Sequence, residues 1–104
     1  MNGPDLDADL GAYHDAGATA VLVAPPFYFP LDRDGVLRFY TGVADRSPLP
    51  IVLYNIPAMT KISIPPTVAG ELAAHPMIAG MKDSSRDMEY FAEVLDATSG
   101  AEDF

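Results

Sequence analysis

A chain of 104 residues holds at most one domain, and a hydrophobic share of 49% marks it as globular rather than disordered. The formal charge is −9, from 15 acidic and 6 basic residues, which argues against nucleic acid or an anionic membrane as partner; the plain reading of the acidity is solubility. Cysteine is absent, so a disulfide framework and a thiolate metal site are excluded, and a reducing, cytoplasmic location is allowed.

The chain opens on polar and acidic residues, Met1 to Asp9, rather than on a basic and then apolar leader. Leu6, Leu10 and Tyr13 recur at i, i+4 and i+7 and predict a helix that Gly17 can terminate. Ala20 to Ala24 reads as a buried strand, closed by Pro25-Pro26. The apolar stretch around it, Ala18 to Pro30, is broken by prolines and is too short to cross a bilayer.

Asp32 to Ser47 places Val36, Leu37, Tyr40, Val43 and Ala44 on one stripe and predicts a helix stopped by Pro48 and Pro50. Ile51 to Tyr54 is the next strand. Pro65-Pro66 suits the first turn of a helix whose inner face is Val68 and Leu72. Met77 to Lys82 is the third strand. Met88, Phe91, Ala92 and Leu95 make the inner face of the last helix, with Gly100 beyond its end and Asp83, Ser84 and Ser85 as its expected cap.

Uninterrupted apolar strands alternating with helices imply an α/β fold, a parallel sheet covered on both faces. Two architectures fit, an open doubly wound sheet or part of a (β/α)8 barrel. Periodicity does not choose between them.

The ends of the second and third strands carry the reactive groups. Tyr54 and Lys82 lie 28 residues apart, about one strand-helix-strand unit. In a parallel sheet they stand on neighbouring strands at the same C-terminal edge. An amine and a phenol at that edge are the parts that Schiff-base chemistry on a carbonyl requires. Strand alternation puts Lys82, Gly80 and Ile78 on one face and Ala79 and Met81 on the other. A lysine at the mouth of an apolar strand loses hydration, which favours the nucleophilic amine; the plain alternative is a surface lysine opening a loop. Tyr54 is either a proton shuttle or a core-edge tyrosine with its hydroxyl in water. Tyr28 follows the first strand and is either a third tip at this edge or, with Phe27 and Phe29, loop packing. His14 and His75 have no metal-ligand spacing and read as structural. Neither a glycine-rich phosphate loop nor a Gly-x-Ser-x-Gly elbow is found.

Three segments together resemble the dihydrodipicolinate synthase / N-acetylneuraminate lyase family of class I aldolases. They are Val23-Ala24-Pro25-Pro26-Phe27-Tyr28-Phe29-Pro30, Leu53-Tyr54-Asn55-Ile56-Pro57 and Ala79-Gly80-Met81-Lys82-Asp83-Ser84-Ser85. The resemblance runs from about Asp15 to Leu95 and selects the barrel. It implies one partial domain over residues 1–104, about strands four to six of eight, truncated at both ends. It implies Lys82 as the Schiff-base lysine for pyruvate or another 2-oxo acid and Tyr54 as the proton relay. Tyr28 matches a tyrosine that in synthases reaches toward a neighbouring subunit, in a family commonly built as homotetramers. No metal or organic cofactor is implied.

Three departures shape the expected reaction. Met59 stands where synthases place an arginine for the aldehyde's carboxylate. Phe27 to Pro30 lacks the synthases' asparagine. The Gly-Thr-Thr-Gly-Glu loop that grips the pyruvate carboxylate does not occur in the 104 residues. The first two favour cleavage or condensation of a 2-keto-3-deoxy sugar acid. The alternatives are the 4-hydroxy-tetrahydrodipicolinate synthase reaction of lysine biosynthesis and a catalytically inactive, truncated piece. Three strands alone leave two raw sheet edges, so such a piece is expected to be marginal as a monomer.

Overall fold

The structure, a computed structural model, describes residues 17, 19–25 and 32–100. In chain order the elements are β1 (Val21–Val23), α1 (Arg33–Arg46), β2 (Ile51–Asn55), α2 (Pro57–Thr60), α3 (Pro66–Leu72), β3 (Ile78–Asp83) and α4 (Met88–Ala97). The strands form one parallel sheet in the order β1-β2-β3. The helix expected from Leu6, Leu10 and Tyr13 lies outside the described residues.

Local chemistry accounts for the helix boundaries. Asp32 is extended, and its Oδ1 accepts a 2.8 Å hydrogen bond from the Gly35 amide, satisfying one of the free donors that open α1. Asp34 in the first turn and Arg46 in the last oppose the helix dipole. Pro66 follows Pro65 at the first position of α3, where a missing N–H costs nothing. The single turn α2 was not expected from the sequence. Pro57 starts it, and Lys61 ends it in the left-handed region at φ 62°, donating its amide to the Pro57 carbonyl.

Alternation along β2 divides the sheet into two unlike faces. Ile51, Leu53 and Asn55 are buried beneath the helices, whereas Val52 and Tyr54 are half-buried on the other side. Val36, Tyr40, Val43 and Ala44 of α1, with Val68, Ala69 and Leu72 of α3, close over Val21, Val23, Ile51 and Leu53. Burial of each such large aliphatic side chain contributes about 1.5–3 kcal/mol. The Tyr40 hydroxyl, inside this core, donates to the Val23 carbonyl at 2.6 Å, and burial pushes the pKa of its phenol up. Helices on both faces were expected. Among the described residues they cover only one, and Leu22 on the opposite face remains 45% exposed. A barrel segment is built this way, since its second face closes against other strands.

The β2–β3 register is not uniform. Ile51 pairs with Ile78, but Val52 pairs with Gly80, so Ala79 is an extra residue in β3. This bulge turns Ile78 to the helix side, where it is buried, rather than to the face of Gly80 and Lys82 expected from strict alternation.

The last helix is rotated from expectation. Val94 is buried and Tyr90 half-buried, whereas Met88, Phe91 and Leu95 are 76%, 39% and 55% exposed and Ala92 is also exposed. Two hydrogen bonds fix the rotation. Asp87 caps the Tyr90 amide, and the Tyr90 hydroxyl donates to the Ile64 carbonyl. Hydrophobicity alone did not reveal that a tyrosine's hydrogen bond would decide the facing side.

Helices α3 and α4 meet at Gly70. A Cβ there would lie 2.9 Å from the Ala97 carbonyl oxygen. Gly70→Ala gains about 1 kcal/mol of helix propensity but forces two backbones apart, a change that costs about 1–3 kcal/mol. The expected outcome is net destabilisation in urea unfolding, and unchanged or higher stability would show that the two helices separate freely.

Candidate active site

The C-terminal tips of β2 and β3 bring Tyr54 and Lys82 together. The two residues are direct register partners, on the face of the sheet opposite the helices. Lys82 Nζ stands 5.4 Å from the centroid of the Tyr54 ring, within range of a cation–π attraction. Lys82 is exposed and Tyr54 half-buried. A Cβ built on Gly80 would meet nothing within 4 Å, so the space beside the amine is open. Tyr28, the third expected site residue, lies outside the described residues.

Behind this pair, on the helix side, the next residues of each strand form a polar cluster. Asn55 is fully buried, and both ends of its carboxamide are used. Nδ2 donates to Asp83 Oδ1 at 3.0 Å, and Oδ1 accepts the Ile64 amide at 2.8 Å. Asp83 also accepts the Ser85 amide at 3.0 Å and the Ser85 hydroxyl at 2.9 Å. Ser85 Oγ accepts the Asp87 amide, and Asp87 Oδ1 accepts the Tyr90 amide. Tyr90 returns to Ile64 through its hydroxyl, which closes the circuit.

Partial burial alone would raise the Asp83 pKa, but the hydrogen bonds from Asn55 and Ser85 outweigh it and hold the carboxyl below its ordinary value. Burial, reinforced by the Asp83 charge, pushes the Tyr90 phenol up. Asp83, Ser84 and Ser85 were expected to cap the last helix. Asp87 provides that cap, and Asp83 and Ser85 instead tie β3 to β2. Asn55 was overlooked as a site-building residue, although its parity with Ile51 and Leu53 already placed it on the buried face.

The opposite edge of the sheet is a separate region. There His75 Nδ1 accepts the Met77 amide at 3.0 Å, and Nε2 meets Asp45 Oδ1 at 2.8 Å. The backbone donor fixes the tautomer, so Nε2 carries the proton and the ring bridges two segments. A cavity of about 620 Å³ beside it is lined by Pro50, Ala74, Pro76, Ile78 and Ala97, at the N-terminal ends of the strands and away from Lys82. His14 is not among the described residues. No group of three His, Cys, Asp or Glu able to hold a metal, and no helix long and apolar enough to cross a membrane, is found among the described residues.

The depressed Asp83 pKa has a definite consequence. Its contribution to stability is fully present above the ordinary value of 3.8 and is lost as pH falls through the lower folded value. Urea unfolding between pH 6 and 2 is expected to show an acid decline that is smaller in Asp83→Asn. An identical decline in the variant would remove Asp83 from the acid response.

The model of the dihydrodipicolinate synthetase family matches residues 9–101. A 4-hydroxy-tetrahydrodipicolinate synthase of Methanospirillum hungatei is 40% identical over 93 residues, which are 89% of this chain and 31% of that protein. The chloride-inhibited dihydrodipicolinate synthase of Acinetobacter baumannii, solved with pyruvate, superposes with a TM-score of 0.85 at 32% identity, over 91% of this chain and 33% of its own. A 2-keto 3-deoxygluconate aldolase of Picrophilus torridus gives a TM-score of 0.84 at 27% identity, over 94% and 35%. The chain thus spans about a third of the length of these relatives. The likeness resolves the two architectures left open by periodicity, since the similar synthases are (β/α)8 barrels and these three strands are part of one. The chain belongs to the dihydrodipicolinate synthetase family of carbon–carbon lyases.

Proposed function

We propose that the chain carries the Schiff-base centre of a pyruvate-dependent lyase, with Lys82 as nucleophile and Tyr54 as proton relay. The observation that carries this reading is the direct pairing of Tyr54 with Lys82, which holds Nζ 5.4 Å from the ring. The amine adds to the C2 carbonyl of a 2-oxo acid to give a carbinolamine. Loss of water gives the iminium, whose positive charge acidifies C3. Loss of a C3 proton then gives an enamine, the carbon nucleophile for an aldehyde. A phenol at the same strand edge can donate a proton to the departing hydroxyl and accept one in return. The pyruvate complex of the similar Acinetobacter baumannii synthase supports pyruvate as this 2-oxo acid.

For the second substrate, similar proteins named 4-hydroxy-tetrahydrodipicolinate synthase favour that reaction over the sugar-acid reaction expected from Met59 and the Phe27–Pro30 segment. Met59 keeps the sugar-acid reading in view. It lies 70% exposed on α2, directly beyond the tip of β2, and offers no cation to a substrate carboxylate. The proposal extends to a homo-oligomer, in which Tyr28 serves a neighbouring subunit.

Borohydride trapping of the purified chain with pyruvate, read by peptide mass spectrometry, tests the centre. The expected outcome is a reduced pyruvyl adduct on Lys82, absent in Lys82→Ala and formed about 10²–10⁴-fold more slowly in Tyr54→Phe. An adduct on another lysine, or none from the folded chain, would refute the reading. Adduct formation without condensation would assign the 104 residues imine formation alone. Met59→Arg separates the two reactions: in a synthase it is expected to improve use of a carboxylate-bearing aldehyde, and no gain favours the sugar-acid reading.

A further inference from the structure

We infer that Asn55 and Asp83 form a register lock: their hydrogen bond holds β3 in the one alignment that sets Lys82 opposite Tyr54. The inference rests on the reading of Lys82 as the Schiff-base amine and adds positioning residues to it.

The β2–β3 ladder offers two registers and uses both. At its start Ile51 pairs with Ile78. Continued without interruption, that register would set Val52 against Ala79, Leu53 against Gly80, Tyr54 against Met81 and Asn55 against Lys82. Neighbours in a parallel pair share a face, so Lys82 would then lie on the helix side, away from Tyr54. The bulge at Ala79 shifts the remainder by one residue, and Tyr54 meets Lys82. A bulge permits this shift but does not enforce it, because it only supplies one residue of slack.

Enforcement lies just beyond the reactive pair. In the shifted register Asn55 faces Asp83, and Nδ2 and Oδ1 meet at 3.0 Å. The Ser84 amide adds a 2.9 Å bond to the Asn55 carbonyl in the same alignment. Asn55 cannot turn to follow a slipped strand, because Oδ1 is held by the Ile64 amide and the side chain is fully buried. Asp83 is anchored from the other side by both donors of Ser85. A slip would place the Lys82 side chain against a buried carboxamide and leave the Asp83 carboxylate without its partner on β2. Neither residue touches substrate in this scheme; both act through the placement of Lys82.

Asn55→Asp tests the lock at nearly constant shape. It removes the donor to Asp83 and sets two carboxylates together. Asn55→Asp/Asp83→Asn reverses donor and acceptor and can rebuild the bond. Two readouts are taken on the full chain: cross-strand NMR contacts of Tyr54, and the maximal rate of pyruvate trapping at Lys82 separated from the pyruvate concentration that half-saturates it. In the wild type Tyr54 contacts Lys82. In Asn55→Asp the lock predicts loss of those contacts in favour of Met81, with the maximal trapping rate down by at least about 10²-fold, since a misplacement near 1 Å already costs that much. The double variant is expected to restore both.

Tyr54–Lys82 contacts that persist in Asn55→Asp overturn the lock, as does a double variant that fails to restore them, whether by misalignment or by misfolding. The wild type distinguishes the two proposals. If it forms no adduct, the Schiff-base reading fails, while the NMR contacts still decide the register lock. If it traps pyruvate at a rate indifferent to Asn55, only the lock fails.

Discussion

The carboxamide of Asn55 is the contact on which the edge carrying Tyr54 and Lys82 depends. It is fully buried, and it reaches two segments other than its own, the Ile64 loop through Oδ1 and the β3 tip through Nδ2. A buried amide left with either end unpaired costs about 1–3 kcal/mol, so both partners are held in place with it. Ile64 in turn receives the Tyr90 hydroxyl, which sets the rotation of α4. Asp83 orders Ser85, and Ser85 receives the amide of Asp87, the residue that caps α4. The helix after β3 and the alignment of β3 are therefore tied to one connected set of polar groups. Among the described residues, no buried side-chain nitrogen or oxygen lacks a partner, which fits a network that is closed rather than partial.

Much of the fold was legible in the sequence because it rests on local rules. The helix from Asp32 to Ser47 was readable from a 3.6-residue stripe and two stopping prolines, and the structure places α1 at Arg33–Arg46, with the Asp32 cap found only there. The strands around Val21, Ile51 and Ile78 were readable as short apolar runs between turns, and the pairing of Tyr54 with Lys82 followed from their strand-helix-strand spacing. The misreadings share a different origin. The bulge at Ala79, the rotation of α4 and the joining of Asp83 to Asn55 all depend on contacts between residues distant in sequence. Met88, Phe91 and Leu95 make a regular apolar stripe, but a cap and a tyrosine hydroxyl turned it outward. No local pattern carries that information.

On the proposed reading, the two faces of the sheet divide the labour between stability and chemistry. The helix side holds the apolar core and the polar circuit. The opposite side holds the phenol and the amine, with Gly80 leaving space beside them. A single-residue bulge connects the two, since it decides which β3 side chains belong to which side. A (β/α)8 barrel accounts for this separation, because its helices cover the outer face of the strands and leave the other face to the interior.

The exposure of Leu22 has a further consequence. It lies on the face shared by Tyr54 and Lys82, with nearly half its surface in water. A surface broad enough to cover this face from Leu22 on β1 to Lys82 on β3 shelters the leucine and withdraws solvent from the amine together. On the proposed reading of Lys82, apolar association and desolvation of the amine are then thermodynamically linked: the free energy that drives closure of the open face is drawn partly against the cost of drying a cation. On that reading, whatever closes the face acts on the chemistry of Lys82 as well as packing against Leu22.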